Sequence, residues 1–177
     1  MKGRLAGLVV AAACIAAPVG ARAQSVLLEG FGGYQGLQPN WGSVKNAFAH
    51  GNEGTALVGG DLLGQVGGLG FGLSVDKTVS GSYGQPWAGS ILAGFIVPVT
   101  VIRLEMLGEV GRRATAFGDM FNDKGATFVG VRPGVRFRFG PTPLNIGVAA
   151  LIRWPTSGGD FGSPDWGLVG RVGFEFP

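Results

Sequence analysis

Near its C-terminus the chain runs Trp166-Gly167-Leu168-Val169-Gly170-Arg171-Val172-Gly173-Phe174-Glu175-Phe176. Read with the two-residue period of a β-strand, this stretch separates into two faces. Trp166, Leu168, Gly170, Val172, Phe174 and Phe176 fall on one; Gly167, Val169, Arg171, Gly173 and Glu175 fall on the other. The first face is apolar and ends in aromatics. The second carries both charges among small residues. A soluble sheet would bury the apolar face and wet the charged one. A transmembrane barrel would do the reverse, with lipid outside and charges in the lumen.

Working back from this stretch, eight runs of strand character lie near 25–34, 54–64, 67–76, 87–97, 100–113, 126–139, 144–154 and 165–176. No helical period competes over a long window. In the fifth run, Ile102, Leu104, Met106 and Val110 oppose Arg103, Glu105, Glu109 and Gly111. In the sixth, Val131, Val135, Phe137 and Phe139 oppose Arg132, Gly134, Arg136 and Arg138. The gaps alternate: tight around Gln65, at Pro98-Val99 and at Gly140–Pro143, long at 35–53, 77–86, 114–125 and 155–164. Short turns on one side and long loops on the other predict an all-β, eight-stranded, antiparallel up-and-down transmembrane barrel. The run lengths suit strands crossing a bilayer at a tilt. Pro133, mid-run and beside Gly134, predicts a β-bulge.

Aromatics separate by strand end. Tyr34, Trp87, Trp154 and Trp166 sit at loop ends; Phe137, Phe139, Phe174 and Phe176 sit at turn ends. Two interfacial girdles are expected of such a barrel.

The N-terminus reads as a secretory leader, residues 1–23, ahead of one barrel domain, 24–177. Lys2 and Arg4 are its charged start, 5–17 its apolar run, and Ala21-Arg22-Ala23 its cleavage site. Lys2, Arg4 and Arg22 leave with it, so the 14 basic residues fall to 11, matching the 11 acidic ones. The mature chain is then formally neutral, and no basic patch points to nucleic acid. Cys14, the lone cysteine, also leaves, which removes disulfides and thiol catalysis. The 35 glycines have no collagen period, and most sit inside the alternating runs, where they read as small side chains in a crowded sheet interior.

An eight-stranded lumen is just wide enough to be filled by side chains. Parity sends Glu29, Asp61, Asp76, Arg103, Glu105, Glu109, Arg132, Arg136, Arg138, Arg153, Arg171 and Glu175 into it. Pairing about the loop that joins the fifth and sixth runs predicts Glu105 near Arg132, and Glu109 near Arg132 or Arg136. Closure of the first strand on the last predicts Glu29 near Arg171 and Glu175. Buried charges are tolerated when paired, so an interior Arg–carboxylate network is expected. Leu104→Arg should impair membrane insertion, and Gly111→Ser should be tolerated.

The chain resembles the small eight-stranded outer-membrane barrels, such as the OmpA-like transmembrane domain. The resemblance covers essentially all of 24–177 and rests on the architecture and on Gly173-Phe174-Glu175-Phe176, which looks like the C-terminal assembly signal of that class. In this class the chain usually ends on the aromatic; here Pro177 follows it. The resemblance implies export to the outer membrane of a Gram-negative bacterium. It also implies escort by periplasmic chaperones, recognition by the barrel-assembly machinery and contact with outer-membrane lipid and lipopolysaccharide. A monomer is expected.

Three functions are weighed. The first is a non-enzymatic structural or surface-binding barrel acting through its loops. The 35–53 loop holds Pro39, Trp41, Lys45, Phe48 and His50; the 114–125 loop holds Phe117, Asp119, Met120, Phe121 and Asp123. The second is a lipid A deacylase-like barrel, whose chemistry needs a Ser, a His base and an acidic orienter. The only histidine is His50; Ser43 and Glu53 lack the spacing of that family's motif, so no catalytic residue is assigned. The third is a soluble lipocalin-like binder of apolar ligands, which needs the apolar residues inside. No cofactor or metal motif is found, and Asp119 and Asp123 do not match a calcium loop.

Overall fold

The computed structural model describes residues 24–36, 54–79, 85–121, 125–140, 142–157, 160–161 and 164–177. The predicted leader, Ser43, His50, Glu53 and most of the first long loop, with Asp123 and Pro141, lie outside them.

Eight strands wind one after another into a closed antiparallel barrel: β1 Gln24–Gly36, β2 Gly54–Val66, β3 Leu69–Thr78, β4 Trp87–Val99, β5 Ile102–Ala114, β6 Ala126–Arg138, β7 Leu144–Ser157 and β9 Asp165–Phe176. A two-residue strand, β8 Asp160–Phe161, pairs with the end of β7 and extends the hairpin above the rim. Each strand pairs with its sequence neighbours, and β1 closes the ring on β9 from Val26↔Phe176 to Gly36↔Trp166. Closure leaves no barrel edge unpaired. No helix among the described residues is long and apolar enough to cross a membrane.

Two tight turns fall two residues beyond their predicted places. Gln65 and Pro98-Val99 remain inside strands, paired with Gly70, Arg103 and Ile102. The chain reverses instead at Gly67-Gly68 and at Thr100-Val101, whose first residues take φ of 60° and 59°. A positive φ at the first central position suits the primed turns that match the twist of paired strands. Gln65 braces its turn by donating from Nε2 to the Gly67 carbonyl at 2.9 Å.

The predicted bulge at Pro133 is absent. β6 keeps one register along β5, through Met106↔Pro133 and Glu105↔Gly134, and along β7 on both sides of the proline. Between Val131↔Ile152 and Gly134↔Ala149 the β7 ladder skips two positions. The missing N–H of Pro133 therefore leaves a gap in the ladder rather than an extra residue.

The two faces sort by parity. Val26, Leu28, Leu73, Ile91, Phe95, Met106, Val110, Val148, Leu168 and Val172 point outward and are exposed. The inward positions hold two apolar clusters, Leu27, Leu63, Leu92, Ile96 and Leu107 toward the turn end and Phe31, Leu57, Ala149, Leu151 and Val169 toward the loop end. Between and around them lie the buried charges. This is the reverse of a lipocalin-like interior.

Candidate functional site: the lumenal charge network

Each lumenal charge is set by one parity choice on a strand that also presents apolar residues to the outside. Arg132, Arg136, Arg153 and Arg171 are among the largest fully buried side chains of the molecule. Their partners come from other strands, largely from across the lumen.

Toward the turn end, Glu29 of β1, Glu105 of β5, Arg136 of β6 and Arg171 of β9 form a closed ring. Arg136 Nη2 lies 3.0 Å from Glu29 Oε2, and Arg171 Nη1 lies 3.3 Å from Glu29 Oε1. Arg171 Nη2 lies 2.8 Å from Glu105 Oε2, and Arg136 Nη1 pairs with Glu105 Oε1. Every carboxylate holds both arginines, and the ring is formally neutral.

Toward the loop end the pattern is an open chain, Asp61–Arg132–Glu109–Arg153–Asp76. Arg132 bridges Asp61 at 2.8 Å and Glu109 at 3.2 Å. Arg153 grips Asp76 with two nitrogens, at 2.6 and 3.2 Å, and Glu109 at 2.7 Å. Ser74 accepts from Arg132 at 3.1 Å, and Ser90 donates to Glu109 at 2.7 Å. The faces of Phe31 and Phe128 cover Arg132 and Arg153, with 5.4 and 4.9 Å from guanidinium carbon to ring centroid. At the turn-end mouth Arg103 pairs with Glu175 at 2.7 Å, and at the loop rim Arg113 pairs with Asp165 at 2.7 Å.

The predicted pairings are met in part. Glu29–Arg171 and Glu109–Arg132 form. Glu105 takes Arg136 and Arg171 rather than Arg132, because it lies opposite Gly134, diagonally between Arg132 and Arg136. Glu109 takes Arg153 in place of Arg136, and Glu175 takes Arg103. Arg138 keeps the inward parity of Arg132 and Arg136 but is not buried with them. It ends β6 at the mouth, and its long side chain is exposed. Sequence reading passed over Arg113 and Asp165. Both continue the inward parity, of Glu105 and Glu109 on β5 and of Gly167 to Glu175 on β9, so carrying the alternation to the strand ends finds them.

Gly111→Ser is also corrected. A Cβ at Gly111 would sit 2.5 Å from the Gly89 carbonyl and from the Phe128 ring, so the site has no room for a side chain. Gly134 is similar, with Arg171 Nη2 at 2.7 Å from its would-be Cβ. Inward glycines let guanidinium groups and rings cross the lumen.

Of the predicted girdles, Tyr34, Trp87, Trp154 and Trp166 are half-buried at loop ends, and Phe137, Phe139, Phe174 and Phe176 are exposed on the outer wall at the turn end. Gly173 faces inward against Glu29, while Phe174 and Phe176 face out. In the loop after β5, a 3-10 helix, Phe117–Phe121, folds down on the outer wall. Phe117 meets Trp87 edge-on at 5.2 Å, and Met120 is buried, with its sulfur 3.5 Å from a would-be Cβ on Gly89.

Eight antiparallel strands in sequence order, closed first to last, with an apolar outside and an ion-paired inside, leave one architecture. The fold is that of the small outer-membrane barrels. The N-terminal barrel domain of Pseudomonas aeruginosa OprF superposes with a TM-score of 0.61 at 15% identity, over 86% of this chain and 97% of that one. Neisserial surface protein A superposes with a TM-score of 0.55 at 10% identity, over 89% and 99%. No family model and no curated protein matches the sequence. Likeness at such identities is a likeness of fold.

Chemically, the lumen holds side chains engaged with one another: the ring is formally neutral, and the open chain has one carboxylate more than its two arginines. Ser90 donates to a carboxylate already held by two arginines, which leaves Glu109 little capacity to act as a base. No group of three or more metal-ligating side chains that could hold a metal ion occurs among the described residues.

Proposed function

We propose that this chain is an integral outer-membrane barrel with a plugged lumen, structural or surface-binding in role and without catalysis of its own. The observation that carries the reading is the inversion of the wall: exposed apolar residues ring the outside, while arginines and carboxylates are buried within. In water that arrangement would leave the apolar wall hydrated; in a bilayer lipid covers the wall, and ion pairing offsets the burial of the lumenal charges. Long loops would face the exterior and tight turns the periplasm. Periplasmic chaperones and the barrel-assembly machinery would deliver a monomer through the Gly173–Phe176 signal, after loss of a leader. Outer-membrane lipid and lipopolysaccharide would be its surroundings, and nucleic acid and cofactors have no part in the reading.

The test is a lipid A mass spectrum from an outer membrane carrying the protein, against an empty-vector control. Heat-dependent gel mobility reports the folded barrel in the same membrane. The expected result is folded barrel with an unchanged spectrum. Loss or gain of an acyl chain would overturn the non-enzymatic reading and direct attention to Ser43, His50 and Glu53.

A further inference from the structure

The open chain in the lumen sets three carboxylates against two arginines, so one negative charge in it has no counter-ion among the described residues. The surplus can be located. Asp76 holds two nitrogens of Arg153, and Glu109 holds both arginines and the Ser90 hydroxyl. Asp61 gives one oxygen, Oδ2, to Arg132, and its side chain is 0% exposed. Its other oxygen, Oδ1, is buried without a hydrogen-bond donor among the described residues. Burying a charge is costly unless it is both paired and hydrogen-bonded.

The register puts oxygen on both sides of this carboxylate. Asp61 of β2 lies directly opposite Glu29 of β1 and directly opposite Ser74 of β3. All three face the lumen and are buried. Directly opposed residues hold their Cβ atoms about 5 Å apart, and like charges placed so repel. Glu29 accepts one arginine on each oxygen, and Ser74 accepts one nitrogen of Arg132. Each of these oxygens keeps a further lone pair. Glu29, Asp61 and Ser74 thus offer two carboxylates and a hydroxyl around the space between the opposed acids.

We propose that Asp61 Oδ1, Glu29 and Ser74 bind a small monovalent cation such as sodium within the lumen. One positive charge is what the open chain lacks, which favours a monovalent ion over calcium or magnesium. Carboxylate and hydroxyl oxygens suit a hard cation. A water molecule would satisfy Oδ1 and leave the charge unbalanced; the ion does both. The site goes beyond the outer-membrane reading, since it depends on the lumen and not on what surrounds the wall.

The experiment refolds the mature protein in detergent, in sodium chloride or in choline chloride at equal concentration. Ionic strength is then the same, and only sodium is small enough to enter. An ion bound by the folded state alone raises its stability. The urea midpoint of wild type should be about 0.5 M higher in sodium. Asp61→Asn sets an uncharged amide in the place of the carboxylate and should lose the sodium response. In choline its midpoint should be no lower than that of wild type, because the surplus charge is gone. Ser74→Ala keeps both carboxylates and should show about half the response, and it carries the test where Asp61→Asn fails to fold. Equal wild-type midpoints in the two salts, or the full sodium response in either variant, would overturn the site. So would an Asp61→Asn midpoint in choline below that of wild type, which would mean that the charge is already balanced.

Discussion

Arg153 has the highest stake of any single side chain. It is fully buried, binds Asp76 with both terminal nitrogens, binds Glu109 and lies over Phe128. Removing one partner of a buried pair leaves the other as an uncompensated charge. Arg153→Met should therefore destabilise the folded barrel by about 3 kcal/mol, read from urea unfolding in detergent. A loss below half that value would mean that water reaches Asp76 and Glu109 and solvates them. At this scale the sequence was legible in which face each charge occupies, since parity depends on the local chain alone. Which partner each charge takes was not, because Arg153–Asp76 and Arg132–Asp61 join strands across the lumen and no local rule relates them. Gly111 carries the same lesson: its crowding comes from Gly89, Ser90 and Phe128 on neighbouring strands.

Among the elements, the turns were the least legible. A run of alternating residues shows that a strand exists but not where it stops. Pro98 reads as a terminator, yet it sits in β4 opposite Arg103, and the reversal waits for Thr100. Thr100 reaches φ 59° with a β-branched side chain, a conformation that costs such residues more than most. Thr100→Asn keeps a polar side chain and tolerates the left-handed region, so it should stabilise the barrel by up to about 1 kcal/mol. The check is the midpoint of urea unfolding in detergent, and a downward shift would contradict the strained turn. Pro133 was misread for a related reason. Proline beside glycine is a frequent mark of a bulge, but the pairs on both sides of β6 hold the register and accept a gap.

At the scale of the whole molecule the alternation of the wall and of the loop lengths was fully legible, because a closed barrel repeats one pattern eight times. The outer wall makes a graded prediction. Leu73 lies mid-strand in β3 and is 56% exposed; Leu104 is the third residue of β5 and is 52% exposed. In a bilayer, arginine at the first should cost about 2–4 kcal/mol; at Leu104, which lies near the turn-end interface, it should cost about 1 kcal/mol or less, so the impaired insertion expected of Leu104→Arg belongs to Leu73→Arg instead. Folding into lipid vesicles, followed by gel mobility, reads the difference. Equal costs would mean that the wall does not span a bilayer in this orientation. The ring of Glu29, Glu105, Arg136 and Arg171 has a consequence in time. Its members lie on β1, β5, β6 and β9, so it cannot assemble until the barrel's last strand has met its first. Contacts made after the rate-limiting step slow escape from the native state without hastening arrival. A ring that links the barrel's first and last strands therefore acts as a latch: once shut, it sets the lifetime of the barrel more than the speed of its formation.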